Sequence, residues 1–147
     1  MPRLDAERIQ LWRRLCTSST ELQRRVDAQL QEEHFLSLAW FECLAAIRDA
    51  GGTMRIHELS EQLDELPSSL SRRLDRLEEE GYVRRKRTPK PSDDRRAVTV
   101  TLTAAGRMVW RDANITYRRM VQHHFAQYLT DTDIAALQRV LGKLIAR

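Results

Sequence analysis

Three patterns in the sequence predict a mainly α-helical fold with one small β-hairpin. Apolar residues recur at helical spacing through most of the 147 residues. Two short helical segments meet at a three-residue turn formed by residues 64–66. Two segments with strand-like composition then flank a polar loop that contains two prolines. A helix pair followed by such a hairpin is a winged helix-turn-helix.

The N-terminal part predicts two helices. From Asp5 to about Gln31, apolar residues follow one another at spacings of three, four and seven, which marks one face of a long helix. A second helix, from Phe35 to Arg48, is apolar on nearly all sides, which indicates burial. The pair Gly51-Gly52 ends it, since glycine readily adopts the backbone conformation found at helix C-termini.

The centre of the chain predicts the helix-turn-helix and its hairpin. A brief strand at residues 53–55 precedes a short third helix, and Pro67 suits the first position of a fourth helix. Gly81 ends that fourth helix. Residues 82–87 and 97–102 then form the two strands of the hairpin. The predicted inward stripe of the fourth helix is Leu70, Leu74 and Leu77.

Two helices follow the hairpin, and they complete a predicted dimerisation region. Thr103 can cap the first, and Thr130 with Asp133 resembles a capping box that opens the second. The terminal segments, residues 5–34 and 104–146, carry more apolar surface than so small a chain can cover. We therefore predict a homodimer, in which these segments are dimerisation helices around a winged helix-turn-helix lobe at residues 35–103, all within one continuous domain.

The charge distribution predicts a polyanionic partner. The net charge is +4, and residues 66–103 alone hold ten bases and six acids, so the rest of the chain is neutral. Such a local excess is typical of nucleic-acid binding. The sequence has no nucleophile with a nearby base, no glycine-rich phosphate loop and no paired carboxylates, so we expect neither an enzyme nor a cofactor.

Metal and membrane sites are not expected either. His123 and His124 are adjacent and point in different directions on a helix, while His34 and His57 lie apart. No apolar run is long enough to cross a membrane, and the N-terminus lacks an apolar signal core, so the expected location is the cytoplasm.

The outer face of the fourth helix is the first candidate DNA-binding site. Short hydroxyl residues stand at its N-terminal end, where small side chains and free helix N–H groups can approach phosphate closely. Arginines follow, and their guanidinium forks suit guanine edges in the major groove or phosphate oxygens. The candidate recognition-helix residues are Ser68, Ser69, Ser71, Arg72, Arg73 and Arg76.

The hairpin is the second candidate site. A narrow tip with several bases can lie against the minor groove, where it contributes affinity more than base discrimination. The acid near the tip is placed to hold an arginine in position. The candidate wing residues are Arg85, Lys86, Lys90, Asp94, Arg95 and Arg96.

The helix-turn-helix and hairpin residues resemble those of the MarR family. The segment from Leu59 to Gly81 carries the resemblance, as does the spacing Asp-x-Arg-x-x-x-Val-x-Leu-Thr, which begins at Asp94 and ends at Thr103. The resemblance implies a winged-helix dimer that binds double-stranded DNA at a pseudo-palindromic operator. It also implies a protein that usually represses transcription and is released by a small ligand, an oxidant or zinc. Arg96 would reach the minor groove, with Asp94 orienting it.

Two alternatives stay open beside this interpretation. Redox members of the family carry a reactive cysteine in the first helix, close to the position of Cys16, although no tyrosine lies nearby in residues 15–30. The chain could also be a winged-helix protein-interaction module without DNA binding.

If a small-molecule effector binds, the resemblance points to a cleft between the dimer helices and the DNA-binding lobe. Its possible lining residues are Trp12, Trp40, Trp110, Met54, His57 and Arg48, each of which is more often ordinary core or surface.

Overall fold

A computed structural model describes residues 3–87 and 98–146 of the chain. The predicted fold class is confirmed, because the described part is mainly helical with one small antiparallel sheet. A short 3-10 helix, Ala126–Tyr128, separates the last two α-helices. The other elements, in chain order, are α1 (Ala6–His34), α2 (Leu38–Asp49), β1 (Thr53–Arg55), α3 (Ile56–Leu63), α4 (Pro67–Glu79), β2 (Val83–Arg87), β3 (Val98–Leu102), α5 (Ala104–His124) and α6 (Asp131–Ile145).

The start of α2 differs from the prediction, which placed it at Phe35. The helix begins at Leu38 because the Ser37 side chain caps it, accepting a hydrogen bond from the backbone N–H of Trp40 at 3.1 Å. Asp27 accepts from the backbone N–H of Leu38 at 2.8 Å, which satisfies a second exposed donor of the first turn. Phe35 has a positive φ of 53° and lies in the connection between α1 and α2.

The helix-turn-helix forms as the sequence predicts. Pro67 occupies the first turn of α4, and the turn before it includes Asp64 in the left-handed conformation, with a φ of 50°. Leu66 precedes α4 without a side-chain cap. The predicted inward stripe of Leu70, Leu74 and Leu77 is fully buried, so the remaining faces of α4 are available for other contacts.

The sheet has the order β1-β3-β2, and both of its strand pairs are antiparallel. The register pairs Met54 with Val100 and Val83 with Leu102, and all four side chains are buried. The brief strand at 53–55 and the two hairpin strands are therefore confirmed. The loop that joins the hairpin strands lies outside the described residues.

A close joint connects the end of α4 to the start of α5. The Thr103 hydroxyl accepts from the backbone N–H of Gly106 at 3.0 Å and donates to the carbonyl of Gly81 at 2.6 Å, so the predicted cap is confirmed. A Cβ placed on Gly106 would meet the backbone oxygen of Tyr82 at 2.1 Å. Only glycine fits there, because any side chain would push α5 away from the turn between α4 and β2.

The chain divides into two compact units, and the division falls inside α1 and inside α5. One unit contains residues 27–116. All the described large side chains that are less than 2% exposed belong to it. The other contains residues 1–26 and 117–147. These units do not test the predicted assignment of 5–34 and 104–146 to dimerisation and of 35–103 to DNA binding, which stays a prediction.

The unit of residues 1–26 and 117–147 leaves most of its large apolar side chains exposed. Trp12 on α1 and Leu137 on α6 are 65% and 40% exposed, and no described residue of α6 is buried. The capping box predicted at Thr130 and Asp133 is present at the start of α6. Among the described helices, none is long and apolar enough to cross a membrane.

Candidate nucleic-acid interface

The outer face of α4 presents hydroxyls and arginines to solvent. Burial of the leucine stripe turns five of the six predicted recognition-helix residues outward. Within residues 3–87 and 98–146, neither Arg72 nor Arg76 has an ion pair or side-chain hydrogen bond, so both guanidinium groups keep their donors. The five exposed residues are Ser68, Ser69, Ser71, Arg72 and Arg76.

Arg73, the sixth predicted recognition residue, is turned toward the body of the fold. Its guanidinium donates to Glu65 at 2.8 Å, and its side chain is only 15% exposed. Glu65 lies in the turn between α3 and α4, and its backbone carbonyl accepts from the Ser60 hydroxyl at 2.8 Å. The Arg73 side chain therefore connects α4 to the turn that precedes it.

Arg85, predicted as a wing residue, connects β2 to α4. Its backbone N–H donates to Glu78 at 2.9 Å, and its guanidinium donates to Glu78 at 3.0 and 3.1 Å and also to Asp75. The Arg85 backbone N–H lowers the pKa of the Glu78 carboxyl, and the Arg85 guanidinium lowers it further. The first hairpin strand, β2, is thus anchored to α4 by charge-assisted hydrogen bonds.

Of the remaining predicted wing residues, one lies on β2 and the others lie in the loop between β2 and β3. Lys86 and its neighbour Arg87 are exposed at the end of β2, and neither side chain forms an ion pair with a described residue. They extend the positive surface along the strand toward the hairpin loop. The predicted residues Lys90, Asp94, Arg95 and Arg96 lie outside the described residues.

A cleft in the unit of residues 27–116 brings together cationic and aromatic side chains. Its volume is about 570 Å³, and it lies between the end of α2, the Gly51-Gly52 turn and the first two turns of α5. Two residues considered for an effector cleft, Arg48 and Trp110, line it. Sequence reasoning missed Arg107 and Arg111, which also line it; their spacing of four along a helix was the available signal.

The other residues considered for an effector cleft are dispersed. Met54 is buried in the sheet, and Trp40 is half-buried on α2. His57 is exposed and lies 3.1 Å from Glu61. None of these three lines the cleft, and Trp12 belongs to the other compact unit.

The two cysteines occupy different environments. Cys43 is fully buried, and burial raises the pKa of its thiol to about 12, in agreement with a core residue. Cys16 is an exposed free thiol on α1, and its redox role stays a prediction. In the described residues, no three His, Cys, Asp or Glu side chains are grouped so that they could hold a metal ion.

Comparisons with known proteins show that this chain is similar to transcriptional regulators. The family model described as "MarR family" matches residues 36–98, which include the helix-turn-helix and most of the hairpin. Over 93 residues, the chain is 24% identical to the HTH-type transcriptional repressor MdtR of Bacillus subtilis (strain 168). That match covers 63% of this chain and only 57% of MdtR.

Two solved structures resemble the chain over nearly its whole length. A cysteine-to-serine variant of MarR from E. coli, in complex with operator DNA, has a TM-score of 0.81 and 28% identity, with 98% of this chain and 99% of that chain covered. Sco3205, a MarR family transcriptional regulator from Streptomyces coelicolor in complex with DNA, has a TM-score of 0.86 and 26% identity, with coverage of 98% and 92%.

The family model, the curated relative and the solved structures agree with the residues that carried the resemblance in the sequence. Members of this family are transcriptional regulators and not enzymes. Residues 36–98 match the MarR family model, and the chain has the winged helix-turn-helix fold of the MarR family structures that it resembles.

Proposed function

We propose that this protein is a sequence-specific transcriptional repressor that binds a pseudo-palindromic operator as a homodimer and is released by a small-molecule effector. The observation that carries the DNA-binding part is the outer face of α4. Exposed serines stand at its N-terminal end, and two arginines without internal partners in the described residues follow them. This arrangement suits a helix whose N-terminal end enters the major groove.

The arginines of the predicted site divide into two groups under this proposal. Arg72 and Arg76 read or clamp DNA, because their guanidinium groups are exposed and carry no ion pair in the described chain. Arg73 and Arg85 hold the recognition helix in position, because their donors already bind Glu65, Glu78 and Asp75. The first group determines which DNA sequence is preferred, and the second determines the orientation of α4.

The wing contributes contacts to the neighbouring minor groove. Lys86 at the exposed end of β2 supports a positive approach to the phosphates. The contribution of Lys90, Asp94, Arg95 and Arg96 is proposed from the family spacing alone, with Asp94 orienting Arg96. Because minor-groove chemistry is degenerate, these contacts add affinity and sense groove width.

The homodimer is supported by the exposed apolar faces of α1 and α6. In water these faces leave large side chains uncovered, and a second copy of the chain is the simplest partner that covers both. A two-fold dimer presents two copies of α4 to one face of the duplex, about 34–36 Å apart. This spacing explains why the proposed operator is pseudo-palindromic.

Repression rests on the relatives, and release rests on the family resemblance. MdtR is described as a repressor, and the E. coli MarR variant was solved on operator DNA. A repressor needs a means of release, and any effector must bind the DNA-competent and DNA-incompetent conformations with different affinity.

The test compares three arginines on one helix. Anisotropy titrations with a genomic fragment retained by the purified protein, and with random duplex, are carried out at several salt concentrations. We expect Arg72→Ala and Arg76→Ala each to weaken binding to the retained fragment by about tenfold, as the loss of one charged contact predicts. The logarithm of the affinity should fall steeply with the logarithm of salt in the wild type.

Arg73→Ala is the matched control on the same helix. We expect it to reduce the free energy of unfolding by about 1–3 kcal/mol, since it leaves Glu65 without its partner. The discrimination between retained and random duplex should stay close to that of the wild type in the folded protein. Equal losses of affinity on retained and random DNA in all three variants would contradict the proposed division, and absence of salt-dependent binding would contradict the function.

A further inference from the structure

One face of the small sheet carries only threonines and cations. Successive residues of a strand point to opposite faces, so the register of the three strands assigns each side chain to one face. The inner face, with Met54, Val83, Val100 and Leu102, is buried and packs against α2, α3 and α4. Six side chains on the opposite side, exposed or half-buried, form what we call the outer sheet face: Thr53, Arg55, Arg84, Lys86, Thr99 and Thr101.

The strand order gives the outer sheet face the shape of a shallow trough. The central strand, β3, contributes the short side chains of Thr99 and Thr101, and the two edge strands contribute the long cations Arg55, Arg84 and Lys86. Neighbouring strands lie about 4.8 Å apart, so the cations of β1 and β2 start about 10 Å apart across the threonines. Along β2, the two cations are about 7 Å apart. The trough therefore has hydroxyls on its floor and cations on both sides.

The hydroxyls on the floor of the trough are held by neighbouring strands. The Thr99 hydroxyl donates to the backbone carbonyl of Lys86 at 3.3 Å. The hydroxyl oxygens of Thr53 and Thr101 lie 3.1 Å apart, so one of them donates to the other. A hydroxyl has a single proton, and the member of this pair that accepts keeps its own O–H for another acceptor. The floor can therefore donate to an oxygen that lies in the trough.

The cations of the outer sheet face lack the acids that neutralise the arginine on the other side of the same strand. Arg85 points to the inner side of β2 and pairs with two acids of α4. Arg55, Arg84 and Lys86 form no ion pair with a described residue. Charged side chains on edge strands can keep two sheets from joining, but acids serve that purpose as well as bases. Three cations without an acid among the six residues of this face favour a polyanion.

The outer sheet face is continuous with the surface that we propose to contact DNA. β2 and β3 lead into the hairpin loop, and Lys86 belongs both to this face and to the candidate wing residues. Helices cover the inner face of the sheet, so a duplex that continues past the wing can meet only the outer one. Arginine side chains and threonine hydroxyls are both common donors to phosphate oxygens. A DNA backbone is therefore the polyanion that suits this position.

We propose that the outer sheet face binds the phosphate backbone of the duplex immediately outside the operator, with one such contact in each protomer. Arg55 and Arg84 bind phosphate oxygens from the two sides of the trough, and threonine hydroxyls donate between them. The contact rests on the proposed function, because it requires the dimer to be bound at its operator. It extends the binding surface beyond α4 and the hairpin loop, and it adds affinity without base preference.

Anisotropy titrations with duplexes of two lengths test the proposal. One duplex ends at the inverted repeat of the retained genomic fragment, and the other continues one helical turn, about 10 base pairs, beyond each end. We expect the wild type to bind the longer duplex about tenfold more tightly or better at the same salt concentration. Scrambling the added sequence should preserve this gain, and a methylphosphonate backbone in the added segments, which carries no charge, should abolish it. A gain that needs particular added bases, or that survives the loss of charge, would overturn the proposal.

Charge-removing variants locate the contact. The double variant Arg55→Gln/Arg84→Gln should bind the short duplex as the wild type does and retain less than about a threefold gain on the longer one. The matched variant Arg14→Gln/Arg139→Gln removes the same charge from exposed positions on α1 and α6 and should keep the full gain. Circular dichroism melts check that both variants fold. Equal gains in the two variants would overturn the proposal.

The two duplexes also separate this inference from the proposed function. Binding of the short duplex without any gain on the longer one would overturn the inference alone. Absence of salt-dependent binding to both would overturn the proposed function and the inference with it. Poly-L-glutamate is the probe for an acidic polypeptide at this face. Its binding to the wild type and not to Arg55→Gln/Arg84→Gln, without a gain on the longer duplex, would overturn DNA as the partner.

Discussion

The two compact units of this chain treat their apolar side chains in opposite ways. In residues 27–116, leucines from α2, α3 and α4 pack with the sheet, and side chains such as Leu44, Leu59 and Leu74 are fully buried. In residues 1–26 and 117–147, most large apolar side chains at the same helical spacing are exposed, and Leu144 at the end of α6 is 67% exposed. Apolar residues at helical spacing in a sequence therefore do not show whether they are buried by the same chain or by a partner.

The contrast explains how the proposed activities are separated. A complete core fixes the pose of α4 within one chain, so the hydroxyls and arginines of its outer face are positioned without help from a partner. In the proposed dimer, the exposed stripes of α1 and α6 pack against a second copy, which supplies the second half of the proposed operator contact. Stability of the lobe and spacing of the two lobes are thus set by different residues.

The largest expected effect is loss of the dimer. Leu137→Asp places a carboxylate in the apolar stripe of α6, and burying it in a dimer interface would cost several kcal/mol. We expect light scattering to show a shift from twice the chain mass of 17.2 kDa toward that mass itself. Ala135→Asp adds the same charge on the opposite face of α6 by helical spacing and should leave the mass unchanged. An unaltered mass in Leu137→Asp would contradict the proposed interface.

A matched pair of glycines gives the next effect and tests the packing contrast directly. Gly106→Ala places a methyl group 2.1 Å from the backbone oxygen of Tyr82, and we expect the free energy of unfolding to fall by about 2 kcal/mol or more. Gly142→Ala on α6 meets no atom within 4 Å, and it should gain about 0.5–1 kcal/mol from better helix propensity. Urea denaturation measures both. If alanine changes the free energy of unfolding equally at both positions, the close contact between Gly106 and the Tyr82 backbone is contradicted.

The smallest effect concerns the anchor between α4 and β2. Arg85 lowers the pKa of Glu78 in the folded chain, so this contact stabilises the fold above the unfolded pKa of about 4.3. Its contribution is lost as the pH falls through the lower pKa of the folded state. Because the pair is partly exposed, we expect Glu78→Gln to cost less than about 1 kcal/mol at pH 7.

The control for this anchor is Glu79→Gln, at an exposed neighbouring position. It should cost nothing measurable at either pH. Thermal melts at pH 7 and pH 3 should show the difference between wild type and Glu78→Gln shrinking in acid. A difference that is equal at both pH values would mean that the carboxylate charge of Glu78 is not what holds Arg85.

The sequence predicted those parts of the fold that depend on local spacing. The stripe of Leu70, Leu74 and Leu77, the proline that opens α4 and the threonine caps at Thr103 and Thr130 all follow from contacts within a few residues. The predicted start of α2 was wrong because Phe35 continues the apolar pattern, whereas the cap that sets the boundary is Ser37.

Contacts between separate elements could not be predicted from the sequence. Six recognition residues were predicted together, but spacing along α4 could not show that Arg73 turns back to Glu65 while Arg72 does not. The pairing of Arg85 with Glu78 needs β2 to cross the end of α4. The cleft joins Arg48 to an α5 stripe more than fifty positions later, so only the folded chain reveals it.

The central claim is that two copies of the α4 face, related by a two-fold axis, contact one DNA duplex. Hydroxyl-radical footprinting on a genomic fragment retained by the purified protein tests it most directly. The account predicts two protected half-sites of inverted sequence whose centres are about one helical turn apart, 10–10.5 base pairs, on one face of the duplex. A single asymmetric patch, or uniform weak protection by a protein that is folded and dimeric, would contradict it.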